Sequence, residues 1–244
     1  MPITNAQSGT RIDEIEAGVY RISTPIPPNP GLATGFTFNQ YLVVDDEPLI
    51  FHTGLRRIFP LVRQAVATVI PVEKLRWVSF SHFEADECGS LNEWLAVAPH
   101  AEPLCGRLGA MLSFADVADR APRVLGDGET ISIGKKQMRW FDAPHLPHNW
   151  EAGYFAEATT RTLFCGDILT QPGAEHEPIT EKDVLGPSEA MRKKMEYYAN
   201  TKNAAGMLER FAALEPTTLA CMHGAAYRGN GASILRALAS ALDA

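Results

Sequence analysis

No Cys-x-x-Cys pair occurs anywhere in the 244 residues; the four cysteines, Cys88, Cys105, Cys165 and Cys221, stand far apart. That spacing encodes neither a disulfide framework nor a zinc ribbon, and reduced thiols in a cytoplasm are the expectation. The chain also lacks a basic region followed by an apolar run at its start, and no stretch approaches the roughly 18 apolar residues that a membrane span requires. A soluble, unexported protein that does not touch membranes is therefore expected. Positive charge is scarce as well: 22 Lys and Arg face 29 Asp and Glu, a formal charge of −7. Apart from Arg192-Lys193-Lys194 the basic residues are dispersed, so the stripe that phosphate backbones demand is missing and nucleic acid is not an expected partner.

What is present is a chain 45% hydrophobic and 21% charged, which fits one α/β (α+β) domain spanning residues 1–244. Strand-like segments cover Gly18 to Ile22, Thr37 to Val44 and Pro48 to Phe51. From Arg57 to Ile70 the apolar residues Ile58, Leu61, Val62, Ala65 and Val69 recur at helical spacing, and Pro71 ends the run. A strand at Leu75 to Phe80 and a helix at about Ser90 to Val97 follow. After a loop-rich stretch, strands recur at Gln137 to Phe141, Tyr154 to Ala158 and Thr162 to Cys165. Helices near Pro187 to Ala199 and Ala204 to Leu214, a strand at Thr218 to Cys221 and a helix from about Ala232 complete the chain. Two comparable β/α halves predict a four-layer αββα sandwich.

The strongest chemical signal is Ser81-His82-Phe83-Glu84-Ala85-Asp86-Glu87-Cys88-Gly89, where a buried strand ends and delivers one imidazole and three carboxylates. Alternation along an extended backbone places His82, Glu84 and Asp86 on one side. His145, Asp167 and His223 each stand just after a later strand, so all can reach one pocket. Two carboxylates about 4 Å apart repel by roughly 4 kcal/mol at an effective dielectric of 20, and this set gathers three or four. Two divalent cations bring +4 and remove the repulsion. A donor set of carboxylates and imidazoles suits iron or manganese, and zinc also accepts it. Glu87 reads equally as a third carboxylate ligand or as a solvated residue opening the next helix. His148 reads as a hydrogen-bond partner of a ligand or a rim residue, and Tyr197 as a pocket-lining proton donor or a plain groove residue.

These residues resemble the metallo-β-lactamase superfamily, and within it the diiron branch of flavodiiron and oxygen-binding diiron proteins. His82-x-Glu84-x-Asp86 has that branch's H-x-E-x-D form, His145-Leu146-Pro147 its His-x-Pro, Leu163 to Asp167 its strand ending in aspartate, and Met222-His223-Gly224 its last ligand. The resemblance implies that His82, Glu84 and His145 bind one metal, Asp86 and His223 the other, and that Asp167 bridges them. It differs at Glu87, where a ligand histidine is common, and at His52, where an aspartate precedes Thr-Gly. The chain stops about twenty residues after Gly224, so a flavin domain is not expected in it, and turnover would be expected to draw on a separate reductase.

The resulting expectation is a non-haem diiron oxidoreductase that binds or reduces dioxygen, or nitric oxide, with an external electron donor; a homo-oligomer is expected. The alternatives are a metal-dependent hydrolase of an ester, thioester or lactone, in which Asp86 orients or deprotonates the attacking water, and a non-catalytic oxygen sensor.

Overall fold

The computed structural model describes residues 3–30 and 33–243. Its first half forms a sheet whose strands lie in sequence order: β1 (Ile3–Asn5), β2 (Thr10–Glu16), β3 (Val19–Ile26), β4 (Phe36–Val43), β5 (Leu49–Phe51), β6 (Trp77–Ser79), β7 (Glu102–Gly106) and β8 (Arg123–Leu125). Pairing is antiparallel as far as β5 and parallel from β5 to β8. The parallel steps need crossovers, supplied by helix α1 (Phe59–Ala67), by α2 (Ala85–Cys88) with α3 (Leu91–Val97), and by the short turns α4 (Arg107–Gly109) and α5 (Ala115–Val117). The second sheet runs β9 (Thr130–Ser132), β10 (Gln137–Asp142), β11 (Gly153–Glu157), β12 (Thr162–Gly166), β14 (Thr218–Cys221), β15 (Ala226–Arg228) and β13 (Ile179–Thr180). Helices α6 (Leu185–Met195), α7 (Ala204–Ala212) and α8 (Gly231–Leu242) complete this half. None of the described helices is long and apolar enough to cross a membrane.

Three separate apolar cores produce the four expected layers. Ile22, Leu42, Ile50 and Val78 on the first sheet pack against Val62, Ala65, Trp94 and Leu95 of α1 and α3. Leu163, Leu219 and Tyr154 on the second pack against Leu208, Phe211, Leu235 and Leu238 of α7 and α8. Between the sheets, Tyr41, Phe51 and Trp77 meet Trp140, Phe155 and Phe164. Phe51 lies 6.0 Å from Phe155 and 5.5 Å from Phe164, in edge-on or tilted contact, the arrangement that aromatic quadrupoles favour. Tyr41 also donates its hydroxyl to the Cys221 carbonyl at 2.6 Å, tying the sheets together at the end where the site forms.

Two local departures matter for function. The expected helix over Pro187 to Ala199 runs instead from Leu185 to Met195, because Glu196 adopts a left-handed conformation (φ 52°) that ends it. Tyr197 to Asn200 therefore leave the helix, and Ala199 N–H is held by the Pro147 carbonyl at 2.9 Å. The stretch expected to be loop-rich also contains β7, β8 and β9, strands of five residues or fewer.

Candidate metal centre

Strand register brings the later ligand-type residues together. β12 and β14 are parallel with Phe164 opposite Ala220 and Gly166 opposite Cys221, so Asp167 and His223 emerge side by side. Met222 N–H bonds the Gly166 carbonyl at 2.9 Å, and Asn39 N–H from β4 bonds the Met222 carbonyl at 3.0 Å. Gly153 N–H bonds the Ser81 carbonyl at 2.9 Å, joining the exit of β6 to β11. Both sheets thus end on one pocket wall.

The segment after β6 is not extended as the alternation argument required. Ser81 to Glu84 bend, and Ala85–Cys88 close a helical turn in which Cys88 N–H bonds the Glu84 carbonyl (2.9 Å) and Gly89 N–H the Ala85 carbonyl (3.0 Å). A turn of helix swings Asp86 and Glu87 away from Glu84. The consequence is two groups: His82, Glu84, His148 and Asp167 in one, and Asp86, Glu87 and His223 in the other, each with ligand atoms within 4.8 Å of one another.

His145 belongs to neither group, and His148 occupies the place expected for it. The cause is a tight turn: His145 has φ 66°, its N–H bonds the Asn149 carbonyl at 2.8 Å, and Leu146 N–H bonds the Ala143 carbonyl at 3.0 Å. His148 then reaches the cluster, with Nε2 3.0 Å from Glu84 Oε2 and 3.4 Å from Asp167 Oδ2.

All three clustered imidazoles share an orientation. His148 Nδ1 lies 3.0 Å from the Tyr197 carbonyl, His223 Nδ1 2.7 Å from the Thr37 carbonyl, and His82 Nδ1 2.9 Å from Ser81 Oγ. A carbonyl can only accept, so Nδ1–H of His148 and His223 donates and fixes the tautomer. Nε2 is thereby presented to the carboxylates, as metal-ligating histidines require. His82 Nε2 faces Glu84 Oε2 at 3.1 Å and Asp167 Oδ2 at 3.6 Å, whereas His223 Nε2 faces Asp167 Oδ1 at 3.2 Å and Asp86 Oδ2 at 3.4 Å. The two oxygens of Asp167 therefore serve different groups. His52, standing where the resemblance implied an aspartate, reaches Ser81 Oγ at 3.1 Å through Nε2 and continues the chain from His82. Burial pushes the His52 imidazole down to about 3, so it acts as a neutral partner.

Electrostatics confirm a crowd of mutually dependent charges. The imidazoles of His148 and His82 hold the half-exposed Glu84 carboxyl down to about 2. Burial would raise Asp167, but His223, His82 and His148 pull it well below the carboxylate range. Burial would lower His223, yet Asp167 and Asp86 raise it to about 10. Burial, followed by Asp167 and Asp86, pushes Glu87 well above its usual value. The raised imidazoles of His148 and His223 place positive charge beside these carboxylates, a role that a bound cation would take over. Among the described residues, every ion-pair partner of these four carboxylates within 4.0 Å is an imidazole. The donor set thus fits two divalent ions.

A cavity of about 180 Å³ opens onto the cluster, lined by Phe36, Thr170, Met191, Met195 and Tyr197 beside Glu84, Asp86, His148, Asp167 and His223. Phe36 stacks on the His223 ring with centroids 4.1 Å apart. Burial raises the Tyr197 phenol, so its O–H stays protonated. Sequence reasoning missed Phe36, Thr37 and Ser81. Ser81 adjoins His82 and was within reach, but the Thr37 carbonyl has no side-chain signature.

The model of the ODP family of beta-lactamase proteins matches residues 36–224. Rubredoxin-oxygen oxidoreductase of Megalodesulfovibrio gigas is 28% identical over 206 residues, which are 80% of this chain and 50% of that protein. Nitric oxide reductase of Moorella thermoacetica is 24% identical over 172 residues, 68% of this chain and 41% of that protein. The chain thus spans about half the length of these relatives. The solved rubredoxin:oxygen oxidoreductase of Desulfovibrio gigas superposes with a TM-score of 0.80 at 24% identity, covering 94% of this chain and 62% of that one. A fragment of a diflavin flavoprotein from Nostoc superposes at 0.83 with 16% identity, covering 96% and 95%. At these identities the superpositions establish the fold, which is the metallo-β-lactamase-like core of flavodiiron proteins.

Proposed function

Because the chain belongs to the ODP family of beta-lactamase-fold proteins, we propose that it holds two iron ions and reduces dioxygen or nitric oxide with electrons from a separate donor. The observation that carries the dinuclear reading is the division of Asp167, whose Oδ2 faces His82 and His148 while Oδ1 faces His223. His82, Glu84 and His148 would hold one metal, Asp86 and His223 the other, and Asp167 both. A pair of ferrous ions supplies electrons to a small oxidant when bound, which one redox-inert zinc ion cannot do.

The chain's own residues prepare the site for such a ligand. Tyr197, Thr37 and Ser81 orient the three imidazoles, so the metal positions exist before the metal arrives. Phe36, Met191 and Met195 give the cavity an apolar lining beside the ligand-type residues. Tyr197 lines the cavity and keeps its hydroxyl proton, so it could act there as a hydrogen-bond donor. The cavity of about 180 Å³ leaves room for a small ligand beside the cluster. The names of the relatives support the same class, one being an oxygen oxidoreductase and another a nitric oxide reductase.

The experiment is to load the protein with iron without air, reduce it with an artificial donor, and follow dioxygen and nitric oxide consumption beside hydrolysis of an ester and lactone panel. Consumption that scales with iron and donor supports the proposal. Stoichiometric oxygen binding without turnover would make the protein a sensor, and metal-dependent hydrolysis alone would make it a hydrolase.

A further inference from the structure

Glu87 is 0% exposed, and neither of its carboxylate oxygens has a hydrogen-bond partner. The backbone keeps it there. Thr53 N–H bonds the Glu87 carbonyl at 2.6 Å, Ser90 N–H bonds Thr53 Oγ1 at 3.0 Å, and Trp94 Nε1–H bonds the Thr53 carbonyl at 3.2 Å, clamping α2 and the start of α3 to the end of β5. Among the described residues, the one basic side chain within 4.0 Å of it is His82, with Nε2 at 3.9 Å, which already faces Glu84 at 3.1 Å. An isolated buried carboxylate is among the costliest arrangements in a protein, and with no hydrogen-bond donor on either oxygen a proton or a cation is what can relieve it. A proton shared with Asp86 would serve one Glu87 oxygen and leave the second orphaned. A divalent ion among Asp86, Glu87 and His223, whose ligand atoms lie within 4.8 Å of one another, would neutralise the whole group.

We propose that Glu87 is a ligand of the second metal position and shifts that position's preference toward hard, oxygen-preferring ions such as iron(II) and manganese(II) relative to zinc(II). The inference rests on the dinuclear reading above. With Glu87 the second position has three carboxylates, Asp86, Glu87 and Asp167, and one imidazole, His223; the first has two carboxylates, Glu84 and Asp167, and two imidazoles, His82 and His148. Oxygen-rich donor sets favour harder cations, and exchanging a carboxylate for an imidazole moves preference toward zinc. Four carboxylates also balance two divalent ions, so a dry site carries no net charge.

Metal-free wild type, Glu87→Gln and Glu87→His are titrated with manganese(II) and, separately, zinc(II), following bound metal by elemental analysis, manganese spin coupling by electron paramagnetic resonance, and melting temperature with and without metal. Wild type should take two ions with coupled manganese spins. Glu87→Gln should keep the first and weaken the second by at least about tenfold, the lower bound for disturbing a metal's surroundings. Without metal it should melt no lower than wild type, since it removes a buried carboxylate, while its metal-induced gain should shrink. Glu87→His should bind two ions with the ratio of zinc to manganese affinity raised above that of wild type, and it also serves should the glutamine variant fail to fold. Glu87→Gln that takes up both ions like wild type would overturn the proposal, making Glu87 a protonated donor, and leave the dinuclear reading standing. Folded wild type that takes up neither metal would overturn both.

Discussion

Replacing His148 and His145 in parallel tests the one ligand assignment on which motif and geometry part. The His-x-Pro pattern points to His145, but the structure places His148 Nε2 3.0 Å from Glu84 Oε2 and 3.4 Å from Asp167 Oδ2, and anchors its Nδ1 on the Tyr197 carbonyl at 3.0 Å. His148→Ala removes one of four donors at the first position. Loss of a residue that only orients a ligand costs about 10- to 100-fold in metal affinity, so loss of a ligand should reach at least the upper end. A hundredfold corresponds to about 2.7 kcal/mol, and with metal in excess that amount disappears from the metal-dependent stabilisation. At roughly 2–4 °C per kcal/mol for a chain of this size, the metal-loaded melting point should fall by about 5–11 °C relative to the metal-free shift. His145→Asn is the control, since asparagine tolerates the positive φ of 66° found there. It should bind metal as wild type does. Retention of both metals by His148→Ala together with loss of one by His145→Asn, read by elemental analysis after dialysis, would refute the placement.

Two further substitutions probe the frame around the site. A Cβ at Gly166, which has φ 48°, would lie 2.7 Å from Tyr154 Cε1 and 2.9 Å from Ser81 Oγ. Gly166→Ala should therefore cost about 2–5 kcal/mol, combining the left-handed penalty with overpacking, and should disturb metal uptake through Ser81; a wild-type melting curve would contradict this. Glu157 accepts from the N–H and hydroxyl of Thr159 (2.9 and 2.6 Å) and of Thr160 (2.7 and 2.6 Å). Burial would raise its carboxyl, but these donors hold it below the ordinary value of 4.5. A depressed folded-state value means that the stabilisation is present above about 4.5 and is lost as pH falls below it. Glu157→Gln should cost about 1–3 kcal/mol at neutral pH and progressively less in acid, as read from urea unfolding at several pH values.

The architecture was legible where long periodic segments carried it. The α1 run through Val62 and Ala65, the strand Thr218 to Cys221, and the paired halves all appear as the hydrophobic pattern implied, because burial of one face dictates them. Strands of three residues such as Arg123–Leu125 and Thr130–Ser132 are too short to show alternation and exist through pairing with distant partners. In the site, Asp167 and His223 were legible because strand ends converge by register. His148 was not, because its position depends on the turn at His145 and on the early end of α6 at Glu196, which frees the Tyr197 carbonyl. Both are left-handed backbone positions on non-glycine residues, which sequence patterns rarely mark. The orphaned interior position of Glu87 was equally hidden, since a helix-opening glutamate is ordinarily solvated.

The most direct test is elemental analysis with Mössbauer spectroscopy on protein isolated without air from cells supplied with isotopically enriched iron. Two irons per chain, with a spectrum showing two distinct sites that change when dioxygen or nitric oxide is admitted, is the predicted result. A full zinc load with iron excluded, or a single iron whose spectrum neither gas changes, would contradict it.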